Sequence, residues 1–132
     1  MTITMLSYSG IKKESPELSE IYDIISNTTE WESIELTKRN DNGLFKSQLI
    51  IIVEPDEGVL LRFCGESGDD EFIFIASQNH ESKREVETFD GGDEWIVPSN
   101  YFNNWNEAKP IIEGFLLDGS MHQPSNWNVV GA

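Results

Sequence analysis

The sequence predicts an α+β fold, an antiparallel β-meander with two helices packed on one face. Three observations lead there. Apolar residues recur at helical spacing near both ends of the chain. Between them lie short runs rich in β-branched and aromatic residues. Compact turn signals separate those runs, so neighbouring strands are joined tightly and lie antiparallel.

The elements follow in order. Residues 2–8 read as a short strand or arm. Ser15-Pro16-Glu17 is a helix start, with Ser15 as cap and Pro16 at the first helical position. Leu18, Ile21, Tyr22 and Ile25 give that helix an apolar stripe, and Asn27-Thr28-Thr29 ends it. Ser33 to Thr37 alternates weakly, and Asp41-Asn42-Gly43 marks a turn. Phe45 to Glu54 contains Leu49-Ile50-Ile51-Ile52-Val53, a continuous apolar run that suits a buried strand. Pro55-Asp56-Glu57-Gly58 is a turn, Val59 to Phe63 the next strand, and Glu66 to Asp70 the next turn. Glu71 to Ser77 completes the meander.

Arg84 to Phe89 is a further strand, Asp90-Gly91-Gly92-Asp93 a turn, and Glu94 to Pro98 a brief extended segment. Asn104 with Glu107 forms a capping box for a second helix. A start at Asn106 is the alternative, because it moves Pro110 into the first turn. Trp105, Ala108, Ile111, Ile112, Phe115 and Leu116 supply the apolar face, and Asp118-Gly119 closes the helix. Pro124 to Val130 is a terminal extended piece carrying Trp127. A length of 132 residues accommodates this as a single domain, 1–132, with one core.

Charge is the strongest functional signal. The chain has 24 acidic and 9 basic residues, a formal net charge of −15. Nucleic acid and anionic membrane surfaces are poor partners for such a chain, since both call for clustered Lys and Arg. A basic protein surface is the partner that fits. Residues 54–94 hold 13 acids against Arg62, Lys83 and Arg84, so most of the charge falls in under a third of the chain. Turns carry much of it, and Phe89 and Trp95 flank the acids as candidate interface anchors. The corresponding partner-binding set is Asp69, Asp70, Glu71, Asp90, Asp93, Glu94 and Trp95; the bland reading is a set of solvated loops with Trp95 in the core.

Catalytic chemistry finds little footing. Cys64 is the sole cysteine, so no intrachain disulfide forms, and a cytoplasmic location is expected. The acids that follow it disfavour a thiolate, which points to a small core residue rather than a nucleophile. His80 and His122 stand alone, and no Cys-x-x-Cys, HExxH or EF-hand spacing appears, so neither metal nor cofactor is expected. No Gly-rich phosphate loop or GxSxG elbow is present. Paired acids such as Asp69/Asp70 leave a small carboxylate-dependent hydrolase as one alternative, and a general acidic nucleic-acid mimic is another.

The last third carries a more particular pattern: Phe89-Asp90-Gly91-Gly92-Asp93-Glu94-Trp95-Ile96-Val97-Pro98, then Ala108, Phe115, Gly119, Pro124 and Trp127. This resembles the first-listed family of immunity proteins in bacterial polymorphic toxin systems, over roughly residues 44–128. Pro110 and the residues around Met121-His122 depart from it. The resemblance implies a non-enzymatic protein that binds a cognate toxin, often a deaminase, and blocks its active site or substrate entry. It also implies turn roles for Gly91 and Gly119 and core roles for Phe115 and Trp127. The chain lacks the His-x-Glu and Pro-Cys-x-x-Cys signature of zinc deaminases, so it is not itself such a toxin.

Overall fold

The computed structural model describes residues 2–65, 73–77, 84–90, 93–120 and 127–131. The expected turn at Glu66 to Asp70, with Glu71, His80, His122 and Pro124, lies outside them. In chain order the elements are β1 (Thr2–Ser7), β2 (Lys12–Glu14), α1 (Leu18–Asn27), β3 (Glu32–Arg39), β4 (Phe45–Glu54) and β5 (Gly58–Cys64). There follow β6 (Ile73–Ser77), β7 (Glu85–Asp90), β8 (Asp93–Pro98), a 3-10 turn (Ser99–Tyr101), β9 (Phe102–Asn103), α2 (Trp105–Asp118) and β10 (Trp127–Gly131).

The fold is α+β, as predicted. Strands β3, β4, β5 and β6 form the meander in antiparallel register. Among the described residues the full sheet has eight strands ordered β10-β6-β5-β4-β3-β1-β2, with β9 beside β5 off this path. β7 and β8 form a separate antiparallel hairpin.

Sheet periodicity explains the layering, because alternate side chains point to opposite faces. Ile3 and Met5 of β1, Ile34 and Leu36 of β3, Leu49, Ile51 and Val53 of β4, and Val59 and Leu61 of β5 share one face. They bury against Ile21 of α1 and Ala108, Ile111, Ile112 and Phe115 of α2. Each of these side chains larger than Ala108 contributes roughly 1.5–3 kcal/mol when fully buried. The residues between them, Ile50, Ile52 and Leu60, face the other way and pack against Val97 and Phe102. The hairpin therefore caps the second face over β4 and β5. Over β1 and β3 that face carries instead a cleft of about 380 Å³ whose lining includes Thr4, Leu6, Glu35, Thr37 and Gln48.

Both helix starts are decided by local hydrogen bonds. For α1 the cap is Glu17 rather than Ser15, and the helix begins at Leu18. Ser15 sits in the left-handed region at φ 49°, and its N–H reaches back to the Ile3 carbonyl at 2.8 Å. Chain reversal out of β2 occupies Ser15, so the Glu20 carboxylate accepts from the Glu17 N–H instead, at 3.0 Å. For α2 the cap is Asn104: its Oδ1 accepts from the Glu107 N–H at 2.9 Å, and Glu107 accepts from the Asn104 N–H at 2.8 Å. Pro110 consequently lies inside α2, at a cost of about 3 kcal/mol. Burial of Ile111, Ile112 and Phe115 along the same helix exceeds that cost.

Two glycines are dictated by close approach. Gly58 has φ 120°, and a Cβ there would strike the Asn103 carbonyl of β9. Gly119 ends α2 in the left-handed region at φ 75°. Its N–H donates to Phe115 at 2.7 Å, and its carbonyl accepts from the Ser47 hydroxyl at 2.6 Å, which ties the helix to β4.

Candidate protein-binding surface

The hairpin is fastened to the sheet through its inner residues. Thr88, fully buried, donates to Glu54 Oε1 at 2.7 Å and accepts from the Trp31 indole N–H at 3.3 Å. Arg84 pairs with Glu57 at the β4–β5 turn. The Arg62 guanidinium of β5 lies 4.5 Å from the centre of the Trp95 ring. Arg62 is itself buried, and burial pushes its pKa down from the ordinary arginine value. A desolvated cation on an indole face is worth up to about 2 kcal/mol. The two described bases of this acidic region, Arg62 and Arg84, are thus engaged within the fold.

The outer side has the opposite character. Cross-strand pairing sets Glu87 opposite Ile96 and Phe89 opposite Glu94. Glu85, Glu87, Phe89, Glu94 and Ile96 are all exposed, with Phe89 46% and Ile96 59% accessible. Phe89 and Ile96 are diagonal neighbours, close enough for their side chains to touch a common partner. Carboxylates border this apolar pair on both strands. Apolar anchors inside a charged rim have the composition of a protein-binding patch.

The sequence-predicted site residues divide. Glu94 is exposed beside Phe89. Asp90 and Asp93 pair with each other across the end of the hairpin. Trp95 is half-buried and packs on the core cluster of the second face, so its ring fastens the hairpin. Asp69, Asp70 and Glu71 lie outside the described residues. Cys64, expected in the core, is half-buried at the end of β5, its thiol 3.7 Å from the Gly65 carbonyl.

Two aromatic residues complete the surface and were not singled out from the sequence. Trp31 meets Phe89 edge-on, with centroids 6.1 Å apart, and Tyr8 from the other side at 4.9 Å. Tyr8 is 73% exposed. The three rings form a row that continues the hairpin face across to the β1–β2 turn. The legible signal was Glu30-Trp31-Glu32, a tryptophan bracketed by acids just ahead of a strand.

Among the described residues, no group of three His, Cys, Asp or Glu side chains could hold a metal ion. No helix among them is long and apolar enough to cross a membrane. Compared with family models, curated proteins and solved structures, the chain matches none.

Proposed function

We propose that this chain is an immunity protein. It binds a cognate bacterial toxin domain, of the nucleic-acid-targeting deaminase type, and occludes its active site or substrate channel with an acidic surface. One observation carries the reading: the outer hairpin face offers exposed carboxylates around Phe89 and Ile96, while Arg62 is buried against Trp95 and Arg84 is paired with Glu57. A toxin that acts on nucleic acid needs a basic channel for phosphates. Carboxylates on a compact hairpin enter such a channel as phosphate mimics. Attraction then speeds encounter, and the aromatic row slows release.

The test is growth rescue and binding kinetics with the toxin domain encoded beside this gene. The wild-type chain protects cells that express that domain. The double variant Glu87→Lys/Glu94→Lys changes two exposed side chains and is expected to fold normally. Its association rate falls at least about tenfold at low salt, and its salt dependence flattens. A neighbouring gene without a toxin domain, a failure to protect, or an unchanged association rate overturns the proposal.

A further inference from the structure

The two ends of the central sheet are built differently. At one lies β2, three exposed residues that include Lys12 and Lys13. A short edge strand bearing lysines is poorly suited to pairing with another chain. At the other lies β10, five residues long, which pairs with β6 and, among the described residues, with no other strand. Neither β10 nor β6 contains Asp, Glu, Lys or Arg, and none of these occurs from Gly119 to Ala132. The net charge of −15 thus has no side chain in the two strands at this end.

Strand pairing fixes which backbone groups of β10 point outward, because alternate residues of an antiparallel strand bond to opposite neighbours. In β1 the Ile3 carbonyl accepts from the Ser15 N–H at 2.8 Å, and the Ser7 N–H donates to the Ile11 carbonyl at 2.9 Å. Its odd-numbered residues therefore face β2. Tyr8, just past the end of β1, donates to the Ser33 carbonyl at 2.9 Å, as an even-numbered residue facing β3 should. Carried through the antiparallel registers of β3, β4, β5 and β6, the alternation turns Asn128 and Val130 toward β6. It sets the N–H and C=O groups of Trp127, Val129 and Gly131 along the outer edge. Such a row is a template for one more strand.

We infer that β10 pairs antiparallel with β10 of a second copy of this chain, about a two-fold axis at Val129. The outward groups are spaced symmetrically about Val129. A two-fold axis there sets Trp127 against Gly131 of the second copy, and each N–H meets a carbonyl. The edge is then satisfied without a foreign sequence of matching register. Charge selects the same occupant. A basic partner is drawn to the hairpin carboxylates, whereas β10 and β6 offer it no carboxylate side chain. Two copies of an acidic chain repel each other, and the repulsion is least where the meeting strands carry no charged side chain. One pair of five-residue strands buries little area, so the dimer is weak and concentration-dependent. Its formation does not depend on the proposed toxin binding.

The experiment combines sedimentation equilibrium and amide exchange on the full chain, from about 10 µM to about 1 mM. A reversible dimer is expected in that range. It should tighten at least about threefold as salt rises from about 20 mM to about 500 mM, because screening relieves the repulsion. Amides of Trp127, Val129 and Gly131 should exchange at least about tenfold more slowly in the dimer, whereas Asn128 and Val130 should be protected in both states. Val129→Pro removes one outward N–H at an edge position and should weaken the dimer at least about tenfold. Lys12→Pro, which removes an outward N–H at the β2 edge, should leave it unchanged. If Val129→Pro does not fold, the exchange comparison on the wild-type chain decides. A monomer throughout, a dimer whose three outward amides exchange as in the monomer, a dimer unaffected by Val129→Pro, or one weakened by salt overturns the inference. A chain whose outward amides slow only when the toxin domain is added assigns the edge to that partner and overturns self-pairing.

Discussion

The two faces of the central sheet are covered by different kinds of structure. On one, α1 and α2 lay down a continuous cluster built around Phe115, Ile111, Ile112 and Ile21, all essentially inaccessible. On the other, a two-stranded hairpin covers only β4 and β5 with a smaller cluster that includes Val97 and Phe102, edged by half-buried Trp31, Val86, Trp95 and Tyr101. Polar links at Thr88, Arg84 and Arg62 do much of the fastening there. Side chains that fill the helix face are withdrawn from water, while the hairpin presents acids and aromatics to it. The first face is therefore organised for stability, and the second holds the proposed recognition element against the sheet.

That contrast is broken most directly by emptying each cluster in turn. Phe115→Ala should cost about 4 kcal/mol, since a fully buried ring leaves a cavity among helix and sheet residues. Val97→Ala removes far less buried volume from the hairpin side and should cost about 2 kcal/mol. Denaturant unfolding measures both. Equal losses would show that the hairpin is as much a part of the core as α2.

A second substitution tests how the faces are joined. β9 runs from the hairpin side into α2 and pairs with β5 at Val59–Asn103 and Leu60–Phe102. Gly58 lets the two backbones meet. Gly58→Ala should cost about 3 kcal/mol, from strain at positive φ and a clash with an immobile carbonyl. Amide exchange should rise at Val59, Leu60, Phe102 and Asn103 before it rises in β1 or β3. Uniform acceleration throughout the sheet would mean that this junction is not a separate weak point.

The same contrast explains what could be read from the sequence. The run Leu49 to Val53 is unbroken because both faces of β4 are covered, and it was legible as a buried strand. Ser33 to Thr37 alternates only weakly because the helix side of β3 is fully covered, while on its other side Ser33 and Glu35 are half-buried and Thr37 is buried. The end of α1, the α2 face and the Gly119 stop followed from spacing and turn chemistry. The cap of α1 did not, because a long-range bond from Ser15 to Ile3 overrode a favourable local motif. The strands β2 and β9, of three and two residues, carry too little pattern to announce themselves. At the candidate surface, acid content and Phe89 were legible, but the inward turn of Trp95 and the row from Tyr8 through Trp31 depend on tertiary contacts between distant segments.

The smallest effect expected concerns carboxylates, and it separates the two faces by pH. On the helix side Glu20 is occupied within the fold: it pairs with Lys13 and accepts from the Glu17 N–H. The Lys13 hydrogen bond, and after it the Glu17 N–H, hold the Glu20 carboxyl below the usual glutamate range. A lowered folded-state pKa means that its contribution is present above the ordinary glutamate range and is lost as pH falls through the folded-state value. Glu20→Gln should therefore be slightly less stable than wild type near neutrality, and the difference should close on acidification. Glu94, exposed on the hairpin, makes no hydrogen bond or ion pair among the described residues. Glu94→Gln should leave the stability profile superimposable on wild type while weakening binding of a basic partner. Thermal unfolding from neutral to acid pH checks both. A Glu20→Gln deficit that stays constant with pH would detach that carboxylate from the acid response of the helix face, and a deficit for Glu94→Gln would show that the hairpin's outer acids also support the fold.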